Sequence, residues 1–487
     1  MDGVVSSLFR LAEEKRCALY CPAQKASEKS DSGLLLSSLP KAGKTALEPD
    51  WPQLFCAIDQ VADQLAGQGV RSGEGLALVG KNSVQQLMLY LAGLSLGARV
   101  MALNPQFPPQ KIERILQQNQ IGFYVAPPLP TTSAQRIVPS AVDYRLIGYR
   151  RTSPHLWQQS LTLTLTSGSG GDPKAVVHDL SAHWQNALGV NRFLAFNHSK
   201  SWLLSLPLYH VSGQGIIWRW LSSGAVLHFS GEDFYASVGK VSHVSLVPTQ
   251  LQRYLDYLSN SGADNEKPLT EAILLGGSYI APALCRRAER FGLTTFSGYG
   301  MTEMASTVYV RKNHPLMPEV RLLHGRELCI RDGEIWLRGA GLAQGYWRDG
   351  KIVPLLNAEG WYQTKDRGCR HNGELQVLGR IDNMFISGGE NIQPEEVEAV
   401  LQQFPQIEQA VVLPLADQEF GARPVAMLRF NAAFSTALVE QVRFWLQDKI
   451  ERFKQPVAYY PLTASPNQMK ISRRQLQLDL QRRLDNQ

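Results

Sequence analysis

The feature that most constrains the fold of this chain is a regular alternation of amphipathic and wholly apolar segments. Residues 51–66 place apolar side chains along one helix face, and residues 75–80 follow as a short buried strand. Residues 84–98 read as a helix, residues 100–105 as a strand and residues 109–118 as another helix. Because strands that alternate with helices pair in parallel, this pattern predicts an α/β domain with a largely parallel sheet.

The same alternation continues further along the chain, with strands predicted at residues 202–208, 241–248 and 271–277. The first 50 residues show no comparable pattern and look irregular. From about residue 328 onward, short strands joined by Asp-Gly and Asn-Gly turns predict a small β-rich subdomain.

A second change of pattern follows Arg380. Residues 393–404 combine a proline at the first helical position with acidic residues in the first turn, which indicates the start of a helix. Strand and helix patterns then run to the end of the chain. We therefore predict a separate α+β domain, with domains covering residues 1–380 and 381–487.

Composition narrows the functional classes. The chain has 487 residues, 44% of them apolar and 19% charged, as in soluble globular proteins of two or three domains. Its formal net charge of +6 comes without a long basic run, so no nucleic-acid partner is expected. Six scattered cysteines, no signal peptide and no apolar stretch of membrane-spanning length predict a cytoplasmic protein without a membrane partner.

A glycine-rich stretch, LTLTSGSGGDPKAVVH (residues 163–178), follows an alternating apolar strand. Such a turn collects backbone N–H groups, hydroxyls and an ammonium around one space, which suits phosphate. Taken alone, the stretch is equally typical of a flexible Gly/Ser loop. Residues 42–46 (AGKTA) also contain a Gly-Lys-Thr sequence, but Ser38 stands where a P-loop needs its first glycine, so we predict a surface loop there.

Further motifs follow in order: SLPLYHVSGQG (205–215), GYGMTE (298–303), GWYQTKDRG (360–368), GRIDNMFISGGENIQPEEVE (379–398) and NQMKISRRQL (467–476). Together with the glycine-rich stretch, their order and spacing resemble the adenylate-forming superfamily, which includes acyl-CoA ligases, peptide-synthetase adenylation domains and firefly-type luciferases. The resemblance covers nearly the whole chain. Segments such as GYGMTEMAST, GYWRDG and ISGGENIQPEEVE are more similar still to the o-succinylbenzoate–CoA ligases of menaquinone biosynthesis.

The resemblance implies a large N-terminal domain of layered αβα type with a small β-rich subdomain, and a small α+β C-terminal domain that rotates about a hinge. It implies ATP and CoA as reactants, Mg²⁺ as the cofactor and o-succinylbenzoate as the acid. A homo-oligomer is possible. Glu303 would hold Mg²⁺, Thr302 would contact the α-phosphate, and Tyr299 would stack on adenine. Residues implied in ATP or AMP binding are Thr166, Ser167, Gly168, Ser169, Gly170, Gly171, Lys174, Gly276, Gly277, Ser278, Tyr299, Gly300, Thr302, Asp366 and Arg380.

Catalysis is implied for Lys470, with His210 and Arg380 also among the catalytic residues. Lys470 would bridge the attacking carboxylate and the α-phosphate, although Met469 stands where the family has glycine and an exposed tail lysine remains an alternative. Gly170 likewise replaces a family hydroxyl, so weaker ATP binding is expected.

The same resemblance implies a hinge at Asp382, about which the C-terminal domain would rotate between the two half-reactions. Gly388 and Gly389 would then approach the pantetheine arm of CoA.

For the acid, Arg219 lies in an otherwise apolar helix between two tryptophans, and we predict that it binds the non-reacting carboxylate. His210 and Ser212 are expected to line the same pocket. Alternatives for Arg219 are a side chain that reaches the surface or pairs with a structural carboxylate. Alternatives for the protein are a ligase for another acid, an enzyme that loads a carrier protein, or a nucleotide-binding relative without catalysis.

Overall fold

We analysed a computed structural model that describes residues 2–22, 46–143, 154–166, 173–260, 268–277, 280–314, 319–462 and 472–485. The described α-helices are Asp2–Leu11, Trp51–Gly67, Val84–Ser95, Pro109–Gln118, Pro154–Gln159, Leu180–Phe193, Val211–Ser223, Phe234–Val238, Pro248–Asn260, Pro282–Arg290, Pro394–Leu401, Thr436–Leu446 and Arg473–Asp485. Short 3-10 helices span Thr302–Met304, Ile381–Asn383 and Arg452–Lys454. Within these ranges, no helix is both long and apolar enough to cross a membrane.

The N-terminal part contains two eight-stranded mixed sheets, each with a parallel run and antiparallel strands at one end. The first sheet has the order Leu19–Tyr20, Val226–His228, Ser201–Leu203, His243–Leu246, Ala272–Leu275, Thr294–Met301, Ser306–Lys312 and Glu319–Leu322. The second has the order Lys351–Val353, Gly345–Arg348, Ala175–Asp179, Leu161–Leu165, Arg99–Leu103, Gly75–Val79, Phe123–Val125 and Gln135–Arg136.

Helices fill the space between these sheets and cover their outer faces. In the strand Gly75–Val79, Leu76 and Leu78 belong to the central core while Ala77 packs with the outer helix Pro109–Gln118, as the two-residue period of a strand requires. The central core also receives apolar side chains from both sheets and from the helix Val84–Ser95, whose described side chains are almost all buried. The layered α/β prediction is confirmed, and the structure adds a second sheet to it.

Three smaller sheets complete the chain. One lies in the predicted β-rich subdomain and contains Arg326–Arg331, Glu334–Gly339, Tyr362–His371 and Glu374–Arg380. A hairpin pairs Phe385–Ser387 with Glu390–Ile392, and a three-stranded sheet contains Ile407–Asp417, Gly421–Phe430 and Ala458–Pro461. The smaller C-terminal domain has a core of its own, built where this last sheet packs against Pro394–Leu401 and Thr436–Leu446.

Two sequence-based predictions differ from the structure. The strand expected over 202–208 ends at Leu203, and the chain turns at Pro207, whose carbonyl accepts a hydrogen bond from the His210 amide. Proline has no amide hydrogen for a sheet, so the strand could not have continued through Pro207. The N-terminal segment, expected to be irregular, includes the helix Asp2–Leu11, which buries Val4, Val5 and Leu8.

Candidate active site

A cleft of about 2430 Å³ opens beside the carboxyl ends of the parallel strands of both large sheets. Ligands bind at such edges in many α/β proteins because helix N-termini and loop amides converge there. Most of the described residues predicted from the motifs line this one cleft: Thr166, Lys174, His210, Ser212, Arg219, Gly276, Gly277, Gly300, Thr302, Glu303, Asp366, Arg380 and Asp382.

The glycine-rich stretch connects two antiparallel strands, Leu161–Leu165 and Ala175–Asp179. The Thr166 amide donates a hydrogen bond of 2.9 Å to the Lys174 carbonyl, so the two ends of the turn are held together at the cleft wall. Ser167, Gly168, Ser169, Gly170 and Gly171 lie outside the described residues, as does Ser278.

Gly276 and Gly277 directly follow the strand Ala272–Leu275 and form part of the opposite wall. Gly277 has a φ of +92°, which a side chain would strain. Gly298 and Gly300 line the cleft from the neighbouring strand. Four glycines therefore leave backbone exposed along this wall, which suits a flat ligand lying close to it.

Tyr299 has a partner that the sequence did not indicate. Since successive side chains of a strand point to opposite faces, and Gly298 and Gly300 line the cleft, the Tyr299 ring packs with the cluster around Met304 instead. Its hydroxyl donates a 2.7 Å hydrogen bond to Asp366 Oδ2. Burial, and then the Asp366 charge, raise the pKa of Tyr299 well above its usual value. The bond to Asp366 was not foreseen, and stacking of Tyr299 on adenine stays a prediction.

Asp366 and Arg380 form an ion pair at the cleft. Arg380 Nη1 lies 3.0 Å from Asp366 Oδ1 and donates a second hydrogen bond, of 2.9 Å, to the Thr364 carbonyl. Arg380 Nη2 lies 3.4 Å from Asp382, the predicted hinge residue. The carboxylate of Asp366 is thus held in place at the wall, 8% exposed, where it can accept hydroxyl donors.

Glu303 lies in the 3-10 helix Thr302–Met304 and lines the cleft. Its Oε1 accepts a 2.9 Å hydrogen bond from the Tyr346 hydroxyl, which leaves Oε2 available among the described residues. A carboxylate oxygen beside a phosphate-sized space suits Mg²⁺, which usually takes only one or two protein carboxylates. No cluster of three or more His, Cys, Asp and Glu side chains suited to a metal occurs in the described ranges.

Close packing beneath Glu303 depends on Gly300. The pairing of Thr294–Met301 with Ser306–Lys312 shifts register between Tyr299 and Gly300, and a Cβ atom at position 300 would lie 2.0 Å from the Ser306 carbonyl oxygen. Ala305 and Ser306 have φ values of 54° and 120°, so the returning chain is already strained.

We expect Gly300→Ala to lower the melting temperature and weaken ATP binding, because the backbone has to move to admit the methyl group. The cost of such overpacking is roughly 1–3 kcal/mol. Gly67→Ala is the matched control, since a Cβ at position 67 meets no atom within 4 Å. Thermal unfolding and calorimetric ATP titration of both variants would measure this, and equal behaviour would contradict it.

Arg219 is 1% exposed and lies on the helix Val211–Ser223, with part of its surface on the cleft. Its nearest hydrogen-bonding partners are hydroxyls, with Ser245 Oγ and Ser306 Oγ at 3.4 Å and Thr307 Oγ1 at 3.3 Å. Its guanidinium also lies 5.1 Å from the centre of the Trp202 ring.

Within the described residues, Arg219 has no carboxylate partner, and its Nε has no hydrogen-bond acceptor. Burial, and then the charge of Arg326, lower its pKa to about 9, still high enough to keep it charged at neutral pH. Neither alternative considered for this residue, surface exposure or a structural ion pair, is found in these ranges. An unpaired buried cation at a cleft wall is suited to an anionic group of a ligand.

His210 and Ser212 lie at the start of the same helix and line the cleft. Gly213 allows this start to approach the preceding turn, because a Cβ there would lie 2.1 Å from the Pro207 carbonyl oxygen. The three residues expected around the acid, Arg219, His210 and Ser212, are therefore brought to one wall.

The C-terminal domain faces the cleft with the segment that follows the predicted adenylation lysine. Lys470 and Met469 lie outside the described residues, but Ser472, Arg473 and Arg474 line the cleft. Arg473 is anchored by Glu398, at 2.6 Å, and by a 2.7 Å hydrogen bond to the Val412 carbonyl.

Gly388 and Gly389, by contrast, are not among the residues of the cleft wall. They form a tight turn with φ values of 56° and 88°, in which the Gly388 amide donates to the Phe420 carbonyl. Their expected contact with CoA requires a different domain arrangement.

Sequence reasoning missed several residues of this site. Ser245 and Thr307 lie in strands that contain other polar residues and have no motif of their own, and Tyr346 stands in the recognised segment GYWRDG without a predicted role. Only the pairing of distant strands brings them to the cleft. Arg473 lies within the recognised motif NQMKISRRQL, and its position three residues after Lys470 was the available signal.

These features define a class of enzyme. The sequence signature of the AMP-binding enzymes matches residues 44–347, well over half of the chain, and the chain belongs to that family. Within it, several similar relatives are 2-succinylbenzoate–CoA ligases. The Haemophilus influenzae protein of that name is 50% identical, with 88% of this chain and 91% of the relative covered, and the Escherichia coli protein is 41% identical, with 89% and 93% covered.

Solved structures of similar proteins support the same family. A variant of E. coli MenE with bound OSB-AMS is 39% identical and superposes with a TM-score of 0.79 over 90% of this chain and 94% of that one. Bacillus subtilis MenE in complex with the acyl-adenylate OSB-AMP is 24% identical, with a TM-score of 0.77 and 97% of each chain covered, and supports the fold alone. The predicted membership among adenylate-forming ligases is confirmed.

Proposed function

We propose that this protein joins 2-succinylbenzoate to CoA in two half-reactions. A carboxylate oxygen of the acid attacks the α-phosphorus of ATP, and pyrophosphate leaves with the electron pair of the broken bond. The CoA thiol then attacks the acyl carbon, AMP leaves, and the thiol proton is released. The observation that carries this proposal is the buried Arg219, whose unpaired charge at the cleft wall suits the second carboxylate of a diacid.

The remaining residues have roles that follow from their positions. Thr166 and Lys174, at the ends of the glycine-rich turn, would hold the β- and γ-phosphates, and Thr302 the α-phosphate. Asp366, supported by Tyr299 and Arg380, would accept the ribose hydroxyls. Gly276 and Gly277 would leave room for adenine.

Glu303 would hold Mg²⁺, which supplies positive charge where the phosphates become more negative. His210 would lie beside the reacting carboxyl group, with Ser212 on the same wall. Lys470 would bridge the carboxylate and the α-phosphate during adenylation. We also propose a cytoplasmic location, since all six cysteines are free thiols.

A panel of acids tests the substrate. With 2-succinylbenzoate, benzoate, a succinyl-only analogue and short fatty acids, CoA-dependent AMP formation should be fastest with 2-succinylbenzoate. Equal or faster turnover with a mono-acid would favour the second candidate, a ligase for another acid of the same superfamily. Exchange of pyrophosphate into ATP without any response to free CoA would indicate loading of a carrier protein instead.

For the domain movement, we propose a boundary after Arg380 and a hinge at Asp382. The last strand of the small sheet ends at Arg380, and the 3-10 helix Ile381–Asn383 follows before the C-terminal core begins. Movement there would take Arg473 and its neighbours from the cleft and allow Gly388 and Gly389 to reach it.

Asp382→Pro is expected to preserve pyrophosphate exchange while most CoA product is lost, because proline fixes φ near −65°. Asp382→Ala is the matched control, since it removes the same ion pairs with Arg380 and Lys365 but leaves φ free. We expect the alanine variant to be far less impaired in thioester formation. Similar product loss in both variants would assign the effect to the lost charge and place the hinge elsewhere.

A further inference from the structure

Tyr346 lies between two groups of the proposed function, one that would hold Mg²⁺ and one that would hold phosphate. Its hydroxyl donates a 2.9 Å hydrogen bond to Glu303 Oε1. The Nζ atom of Lys174 lies 5.0 Å from the centre of its ring. Tyr346 lies in the same cleft wall as both residues.

The backbone fixes the position of this tyrosine relative to both partners. Tyr346 is paired with Val176, on the strand that leaves the glycine-rich turn. The Ala343 amide donates a 2.8 Å hydrogen bond to the Glu303 carbonyl, so the same segment is tied to the turn that carries Glu303. Gly345 packs closely as well, because a Cβ there would lie 2.2 Å from the Val353 carbonyl oxygen.

The chemistry of the side chain matches this placement. A tyrosine hydroxyl is protonated at neutral pH, so it donates the hydrogen bond and the Glu303 carboxylate accepts it. A donated hydrogen bond to one carboxylate oxygen fixes the rotation of the carboxylate and directs the other oxygen to a cation. The face of an aromatic ring attracts an ammonium group at distances up to about 6 Å.

We infer that Tyr346 is a positioning residue that holds Glu303 and Lys174 in the arrangement required by ATP with its divalent cation. The inference rests on the proposed function and deepens it. Tyr346 acts through these two partners, its hydroxyl on the cation side and its ring on the phosphate side. The two contributions are therefore separable by substitution.

Tyr346→Phe removes only the hydroxyl. We expect the affinity for Mn²⁺, measured by electron paramagnetic resonance in the presence of an uncleavable ATP analogue, to fall roughly tenfold. The Mg²⁺ concentration for half-maximal pyrophosphate exchange should rise in parallel. Binding of ATP without a divalent cation, measured by calorimetry, should stay near that of the unmodified protein.

Tyr346→Leu also removes the ring. We expect it to lose the same cation affinity and, in addition, to bind ATP without cation roughly two- to fivefold more weakly, because the contact with Lys174 is lost. Tyr362→Phe is the matched control, since it deletes a neighbouring hydroxyl that lies 3.4 Å from the Tyr346 oxygen. Its Mn²⁺ affinity should be unchanged.

Unchanged Mn²⁺ affinity in Tyr346→Phe would overturn the inference, as would an equal loss in Tyr362→Phe. Unfolding of Tyr346→Phe at the assay temperature, with Tyr362→Phe folded, would also overturn it by showing a purely structural role. Failure of the proposed function has a different signature. In that case the unmodified protein would show no 2-succinylbenzoate-dependent exchange, whatever the variants do.

Discussion

Lys470→Ala is expected to reduce 2-succinylbenzoate-dependent pyrophosphate exchange by roughly 100- to 1000-fold, the effect of removing one preorganised donor from a developing negative charge. Conversion of preformed acyl-adenylate and CoA to thioester should be largely preserved, because the lysine contacts the reacting groups in only one domain arrangement. Rapid-quench measurements of each half-reaction would separate the two steps.

The structure supports this expectation through the residues that follow the lysine. Arg473 lines the cleft and is tied to Glu398, which is itself buried and accepts a 2.7 Å hydrogen bond from the Val412 amide. The chain is thus anchored at the cleft three residues after Lys470. Lys449→Ala provides the control, because this exposed lysine of the same domain lies outside the cleft. Equal loss in both half-reactions for Lys470→Ala would remove it from the adenylation step.

Local signals predicted most individual elements. The helices Trp51–Gly67 and Pro109–Gln118 were recognisable because their apolar residues recur at helical spacing. The helix Asp2–Leu11 is as long as Pro109–Gln118 and carries the same kind of signal, with Val4, Val5 and Leu8 buried, but it was not predicted.

The pairing of strands that are distant in sequence was harder to predict. The strand Gly345–Arg348 pairs with Ala175–Asp179 across about 170 residues, and no local pattern specifies that partner. The role of Tyr346 depends on this pairing, so it could not be inferred from sequence. For Tyr299 the motif was recognised, but its hydrogen bond to Asp366 joins strands that are distant in sequence and was not predicted.

For Arg219, by contrast, the sequence predicted a buried arginine, and the structure shows which groups surround it. A charged residue between two tryptophans in an apolar helix implied burial, and the side chain is 1% exposed. Hydrogen bonds from a guanidinium to charged acceptors are usually about 2.7–2.9 Å long. Its contacts to hydroxyls at 3.3–3.4 Å are longer than this. Such neighbours stabilise the positive charge of Arg219 only in part. A carboxylate of the substrate would stabilise it further.

Arg219→Ala is therefore expected to lower kcat/KM for 2-succinylbenzoate roughly 30- to 5000-fold. This corresponds to about 2–5 kcal/mol of activation free energy, because one member of a buried charge pair is left without its partner. The loss should be much smaller for an analogue that lacks the aromatic carboxylate, and the KM for ATP should barely change. Arg219→Met, which keeps more of the side-chain volume, should show the same selectivity if the alanine variant is unstable.

Arg326 supplies a matched control for this selectivity. It is also buried, at 5% exposed, and its Nε and Nη2 atoms have no hydrogen-bond partner within the described residues, yet it is not part of the cleft wall. Arg326→Met should therefore lower thermal stability without changing the ratio of kcat/KM between diacid and mono-acid. If Arg219→Ala lowers kcat/KM equally for both acids, as a structural arginine would, then Arg219 does not bind the second carboxylate. The proposed substrate would then lose its main physical support.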